Sequence, residues 1–444
     1  MPLDPDKISE FLDRSVAQYG APSSTIVAFS GGRDSTVLLS LMADLAPRLQ
    51  TALSAVHVNH ALQTGADEWQ THCAQFAAAL NVPFRAISVA VQKQGDAGPE
   101  GNARQARYAA LAELLGDGDW LMTGHHEDDQ AETVLLNLMR GSGVTGLRGM
   151  LPCRDFERGL LVRPLLSYSA AEIADFAARR KLSWIDDLSN SDTTFDRNFL
   201  RHEVLPVLQR RWPAASRQLA HSAQLAAAAA AQLEELAVLD IARCGTSARL
   251  SVSALTELSG NRLGNVLRHA CQLQGLPVPP RHQLAAIIAD VLPAKPDATP
   301  LVSWPGGEAR RFRDYLFVLA PMPRAPAVPK ARLTSARRVS LGDNLGHVML
   351  GSQRRGGIVP RVAEQGLEIR YRSGGEMLQP AGRGIEKSLK KLLQEAAVVP
   401  WMRARVPLLY SADALVAVAD MWVAEAFFSA DGVPVIWDEK PAIS

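Results

Sequence analysis

Four times between residues 25 and 140, a short apolar run gives way to a segment with helical periodicity. TIVAFS precedes STVLLSLMADLA, LSAVHVNH precedes a helix through Trp69 and Phe76, VPFRAISVAV precedes ARQARYAALAELL, and DWLMTGH precedes AETVLLNLMRG. Strands joined through helices run parallel, and parallel strands are buried on both faces, so their sequences are apolar throughout instead of alternating. The pattern predicts an α/β fold built on a Rossmann-like parallel sheet covered on both sides. Ligands of such sheets bind beyond the carboxyl ends of the strands, which makes those ends the places to look for chemistry.

The rest of the chain has a different texture. From about residue 215 the text is rich in Ala, Leu and Gln, with helical segments to 292 and short strand-like pieces near 301 to 319. Residues 320 to 331, APMPRAPAVPKA, hold four prolines and read as a stiff connection. The expected organisation is a catalytic domain over 1–215, a mainly helical middle domain over 216–320, a Pro-rich linker over 321–331 and a small α+β domain over 332–444. With 47% hydrophobic and 21% charged residues, general disorder is excluded. No apolar run reaches the roughly 18 residues a membrane span needs, and MPLDPDKISEFLDRS has acids where a signal peptide needs a basic start. The four cysteines are scattered without a CxxC pair, which fits a reducing cytoplasm and neither a disulfide framework nor a zinc ribbon.

The end of the first apolar run carries Ser30-Gly31-Gly32-Arg33-Asp34-Ser35, immediately before a helix. There the first backbone N–H groups of the helix and the positive end of its dipole point at one place, and glycine lets an anion come close. The hydroxyls of Ser30 and Ser35 add donors. No Gly-Lys dipeptide occurs in the chain, so this is not the common G-x-x-x-x-G-K-[ST] loop. Asp34 would repel a bare phosphate but suits a phosphate bridged by Mg²⁺, which is often held by one carboxylate and phosphate oxygens. The expectation is a site for ATP and Mg²⁺, with Asp34 as the metal ligand; the alternative is a plain turn in which Asp34 and Ser35 cap the helix.

The fourth run ends in Thr123-Gly124-His125-His126-Glu127-Asp128-Asp129-Gln130-Ala131-Glu132. Asp129 and Glu132, three apart, share one helix face and would gather a cation: Mg²⁺, an arginine of the protein, or a substrate ammonium. A zinc site at these histidines and acids is the lesser alternative. Gly141 to Gly146 spells G-x-G-x-x-G but follows a helix, so it is expected to be a helix end and a loop at the pocket rim, not a dinucleotide fingerprint.

SGGRDS resembles the SGG-x-DS loop of the PP-loop ATP pyrophosphatases, which split ATP between its α and β phosphates. HVNHALQTGADEW, EGNARQARYAAL, TGHHEDDQAETVLLNLMRGSGVTGLRGM, RPLL and WIDDLSNSDTTFDRNFLRHEVLP, in this order, are similar to the tRNA(Ile)-lysidine synthetase family. The resemblance implies ligation of L-lysine to C2 of the wobble cytidine of tRNA(Ile) with a CAU anticodon, through an adenylated cytidine, giving AMP and pyrophosphate. It implies ATP held by Ser30 to Ser35, a catalytic set of Asp34, His125, Asp129 and Glu132, and nucleotide or tRNA phosphate near Arg104, Arg107 and Arg197. Leu188 stands where the family often has Pro, and Ala170 where it often has a basic residue, which bears on loop shape and one RNA contact.

The net charge is +1, so RNA would have to be gripped by local clusters. Residues 351 to 405 contain 11 Lys and Arg against 5 Glu and no Asp, including Arg383, Lys387, Lys390 and Lys391. YRSGGEMLQP and KSLKKLLQEAAVVPWMRARVPLLY resemble the family's C-terminal domain, which implies a grip on the tRNA acceptor stem; the alternative is a solvated helix face. A homodimer is left open. The rival activities are a tRNA thiolase, disfavoured by the isolated cysteines, and a non-catalytic RNA-binding protein, disfavoured by Asp34, Ser35, Asp129 and Glu132 together.

Overall fold

The computed structural model describes residues 2–59, 66–89, 98–186, 192–295, 298–322, 332–334, 338–342, 345–352 and 356–441. Leu188 and most of the expected linker over 321–331 lie outside the described residues. The chain forms two compact units, Met1–Leu233 and Glu234–Ser444.

The first unit opens with α1 (Pro5–Tyr19), capped by Asp4 with Pro5 at its start and burying Ile8 and Leu12. Then follow β1 (Ser24–Ala28), α2 (Arg33–Leu49), β2 (Ala52–Asn59), α3 (Ala66–Ala79), β3 (Phe84–Ser88), α4 (Gly98–Ala112), β4 (Trp120–Met122) and α5 (Glu127–Met139). A short α6 (Val144–Leu147) leads to the hairpin β5 (Cys153–Phe156) and β6 (Gly159–Val162), then to α7 (Ala170–Arg179). The unit continues through α8 (Asp196–Phe199), a π-turn over Leu200–Val204, α9 (Leu205–Arg211) and the start of α10 (Ala215–Cys244).

The six strands form one sheet in the order β3-β2-β1-β4-β6-β5, parallel except for β5, which runs antiparallel at one edge. Neighbouring residues on each strand point to opposite faces, and both faces are covered. Val27, Met122 and Val162 pack with Leu38, Leu41 and Ile173 on one side; Ile26, Leu121 and Leu161 pack with Leu111 and Leu115 on the other. The carboxyl ends of β1, β2 and β4 therefore lie side by side, and the turns that follow them face one space.

In the second unit, β7 (Gly245–Thr246), β8 (Arg249–Ser251), α11 (Val252–Thr256), α12 (Gly260–Leu273) and α13 (Arg281–Ala286) precede the meander β9 (Leu301–Trp304), β10 (Gly307–Phe312) and β11 (Tyr315–Leu319). These strands make a five-stranded sheet, ordered β7-β8-β11-β10-β9, against which Val266, Leu267, Ile287 and Val291 pack. The part of the chain expected to be mainly helical thus also carries a sheet. Beyond it, short antiparallel strands surround two helices, Pro360–Glu364 and Leu389–Glu395; Leu389, Leu392 and Leu393 of the latter are buried while Lys390 and Lys391 are exposed.

Candidate active site

The turn after β1 is built as the sequence suggests. Gly31 has φ +84°, and an added Cβ would meet Trp69 Nε1 at 2.5 Å and Cys73 Sγ at 2.6 Å, so only glycine fits. Trp69 Nε1 donates to Ser30 O at 2.6 Å and Ile185 N to Gly31 O at 3.0 Å, pinning both sides of the turn. Gly32 caps α2 in extended conformation without a side-chain bond. Ser30 Oγ and Ser35 Oγ lie 3.0 Å apart. Gly124, after β4, comes so close to the first turn of α2 that a Cβ would lie 3.0 Å from Asp34 O.

That contact brings the two strand ends together. His126 is the N-cap of α5, with its Nδ1 accepting from Asp129 N at 3.4 Å and Asp129 Oδ2 accepting from His126 N at 3.0 Å, a reciprocal cap. Its Nε2 lies 3.5 Å from Asp34 Oδ2 and 3.5 Å from Asp129 Oδ2, so one buried imidazole ties the SGGRDS acid to the α5 acid. Burial alone would lower the His126 pKa, but Asp129, Asp34 and Asp128 outweigh it and hold it above the ordinary histidine value. Protonation forfeits the long cap contact at Nδ1 and leaves the bonds toward both carboxylates in place. Asp34 is opposed by burial too, yet His126 and Arg33, whose Nε donates to it at 3.1 Å, hold its carboxyl below the usual range.

His125 has the opposite fate. Burial lowers its pKa well below the usual value; Asp129 opposes this, and Arg163, Arg104 and Arg197 reinforce it. Its Nδ1 shares a 2.8 Å hydrogen bond with Thr123 Oγ1. Adjacent histidines are thus pushed in opposite directions, His126 toward its protonated form and His125 toward its neutral one.

Asp129 and Glu132 share a helix face as expected, and the cation they gather within the chain is arginine. Glu132 is fully buried; Arg197 Nε donates to Oε2 at 2.7 Å and Arg201 Nε to Oε1 at 2.6 Å. Asp129 Oδ1 accepts from Arg197 Nη2 at 3.2 Å and Arg201 Nη2 at 3.0 Å. Burial would raise the Asp129 pKa, but His126, Arg197, His125 and Arg201 hold it far below the usual carboxylate range. His126 and Arg201 are the residues that sequence reasoning left out. The signal for Arg201 was its spacing: four after Arg197, it presents a second guanidinium to the same pair of acids.

These groups line one cavity of about 1610 Å³ that runs from Ser30 and Asp34 past His125 and Asp129 to Arg197 and Arg217. It exceeds the roughly 300–1,000 Å³ of a site for one small molecule. Arg104 and Arg107 also line it, with their guanidiniums 5.0 and 5.9 Å from the centre of the Tyr108 ring. Gly141 to Gly146 ends α5 with Gly141 at φ +68°, as expected of a helix end, but does not line the cavity. Ala170 N donates to Asp128 Oδ2 at 2.8 Å, so this position braces the α5 acids through its backbone. Arg383, Lys387, Lys390 and Lys391 belong to the second unit; Arg383, Lys390 and Lys391 are exposed, while Lys387 is half-buried and paired with Glu395 at 2.9 Å.

A glycine turn aimed at a helix N-terminus, on a parallel sheet and beside a buried acid-and-histidine set, defines an enzyme of the PP-loop ATP-using class, and the PP-loop domain family matches residues 6–208. The TilS substrate binding domain matches 250–317 and the TilS substrate C-terminal domain 367–437. The tRNA(Ile)-lysidine synthase of Alkalilimnicola ehrlichii is 41% identical over 98% of both chains. That of Coxiella burnetii is 37% identical over 95% of this chain and 93% of its own. That of Legionella pneumophila strain Paris is 38% identical over 93% and 95% respectively. The chain belongs to the tRNA(Ile)-lysidine synthase family.

Proposed function

We propose that this enzyme uses ATP to join L-lysine to C2 of the wobble cytidine in the CAU anticodon of tRNA(Ile), giving lysidine, AMP and pyrophosphate. What carries the reading is one cavity in which the SGGRDS turn and the α5 acids meet, within a chain matched almost end to end by tRNA(Ile)-lysidine synthases.

A cytosine C2 carbonyl is a poor electrophile. In the proposed sequence its oxygen attacks the α-phosphorus of ATP, the bond to the β-phosphate breaks, and pyrophosphate departs against the N–H groups and hydroxyls of the turn after β1. The lysine ε-amine then attacks C2 of the adenylated cytidine and the C2–O bond breaks, releasing AMP. The ammonium, with an unperturbed pKa of about 10.4, must first lose a proton. His125 is the base in this scheme, because it is neutral whereas His126 is locked between carboxylates.

Asp129 sits on the cavity wall and keeps its charge, which suits the ammonium of lysine. Glu132, sealed from solvent, serves by fixing Arg197 and Arg201. Nη1 of each arginine is engaged by neither carboxylate and is available to a phosphate. Arg104 and Arg107 extend this cationic wall. For Mg²⁺, the described residues offer no group of three acid, His or Cys ligands. The ion would rest on Asp34 and on phosphate oxygens, a mode that suits its preference for few protein ligands, and would neutralise charge on the departing pyrophosphate.

The test is incubation of an isoleucine tRNA transcript bearing CAU with ATP and isotopically labelled lysine. Mass spectrometry should find the label on one cytidine, with AMP release requiring both lysine and RNA. AMP release that ignores either one defeats the reading.

A further inference from the structure

Resting on the reaction proposed above, we infer that Trp212 is a stacking platform for an unpaired anticodon-loop base next to the reacting cytidine. Among the described residues it is the most exposed large aromatic side chain, at 59%. An isolated exposed apolar side chain needs no explanation, but this one sits on a built corner. Trp212 N donates to Leu208 O at 2.8 Å and Ala215 N to Trp212 O at 2.9 Å, so the backbone is held on both sides. Pro213 fixes the next φ. Gln209 Nε2 donates to Ser216 Oγ at 3.0 Å, bracing α9 against α10 across the bend.

The corner borders the cavity: Gln209, Pro213, Ala214 and Ser216 line it, while the indole between them is presented to solvent. A base placed on that ring would therefore neighbour whatever nucleotide enters the cavity. The charge is complementary to RNA. From Val204 to Leu233 the chain has no Asp or Glu, while Arg210, Arg211 and Arg217 fall in this stretch. The Arg211 guanidinium lies 5.8 Å from the centre of the Trp212 ring, where it can meet the phosphate of a stacked nucleotide. Single-stranded RNA loops are recognised mainly by stacking on aromatic rings beside such cations. With the backbone of the corner already held, only the two side-chain torsions of Trp212 are left to be fixed when a base lands on the ring.

The experiment compares wild type with Trp212→Ala and Trp212→Phe, using the CAU isoleucine tRNA transcript. Trp212→Ala should raise KM for the RNA by about ten-fold, leave kcat and KM for ATP and lysine at wild-type values, and keep the native melting curve. Trp212→Phe should restore most of the RNA affinity. In a second arm without ATP or lysine, 2-aminopurine replaces each of the two loop positions flanking the reacting cytidine. Wild type should quench one of them, and Trp212→Ala should not. An unchanged KM for RNA overturns the inference, as does equal quenching by both proteins or a change in the sedimentation of the free variant, which would assign the ring to contact between copies. Quenching without lysidine formation would instead leave the platform standing and refute the reaction.

Discussion

His126 shows how one side chain can be both a structural and an electrostatic hinge. Unprotonated, it caps α5 through Nδ1; protonated, it gives up that long contact and faces Asp34 and Asp129 through Nε2, and these two acids make its proton contribute to stability. Its folded pKa is raised above the unfolded value of about 6.5. That contribution is fully present below about pH 6.5 and is lost as pH rises through the folded pKa. His57 and His125, whose pKa values are lowered chiefly by burial, act in the opposite sense, and their effect is complete by about pH 6.5. Above neutrality the fall specific to His126 is the difference between wild type and His126→Gln, because burial raises the thiol pKa values of Cys73, Cys153, Cys244 and Cys271 and their ionisation on unfolding lowers the stability of both proteins alike toward pH 9. Urea midpoints measured from pH 6.5 to 9 should fall for wild type and stay flatter for His126→Gln. Parallel curves for the two proteins would show that the imidazole proton is not held by these acids.

At the level of elements, the turn between β1 and α2 separates two uses of glycine. Gly31 is required by backbone conformation and by the Trp69 and Cys73 side chains behind it. Gly32 has ordinary φ, and an added Cβ would come no nearer than 3.5 Å to another atom, Ser30 Oγ. Gly31→Ala should therefore lower the melting temperature as well as ATP affinity. Gly32→Ala should fold normally and still bind ATP at least about ten-fold more weakly, because a methyl group displaces a phosphate by a bond length and loses roughly one charge-assisted hydrogen bond. Isothermal titration beside thermal melting reads both; normal ATP affinity in a folded Gly32→Ala protein would move the phosphates away from this turn.

The same elements show what the sequence could reveal. β1, β2 and β4 were legible because strands buried on both faces must be apolar, and SGGRDS because a turn at that point has few other uses. β5 was not: CRDF carries Arg154 and Asp155 on an edge strand that turns back antiparallel. The sheet over 245–319 escaped notice at its start because β7 and β8 are only 2 and 3 residues long. The acid pair on α5 was visible, but its partners lie 65 and 69 residues further on, and only the fold decides that, of the cations considered, arginine is the one the chain itself supplies.

For the whole molecule, near-zero net charge makes RNA affinity a matter of where the cations are left unpaired. In the helix Leu389–Glu395 the leucines face inward and Lys390 and Lys391 outward, whereas Lys387 is already bound to Glu395. Reversing both exposed lysines, Lys390→Glu with Lys391→Glu, should weaken tRNA binding and reduce the slope of log affinity against log salt by about 1–2. Lys387→Gln should change that slope less, since its charge is half-buried and neutralised. ATP affinity should be the same in all three proteins, because the turn proposed to hold ATP, residues 30–35, belongs to the other unit. Filter binding of tRNA from 50 to 200 mM salt, with ATP titration as control, checks this. An unaltered slope in the double variant would mean that this helix presents its lysines only to water, and that the RNA is held by the arginine-rich cavity wall alone.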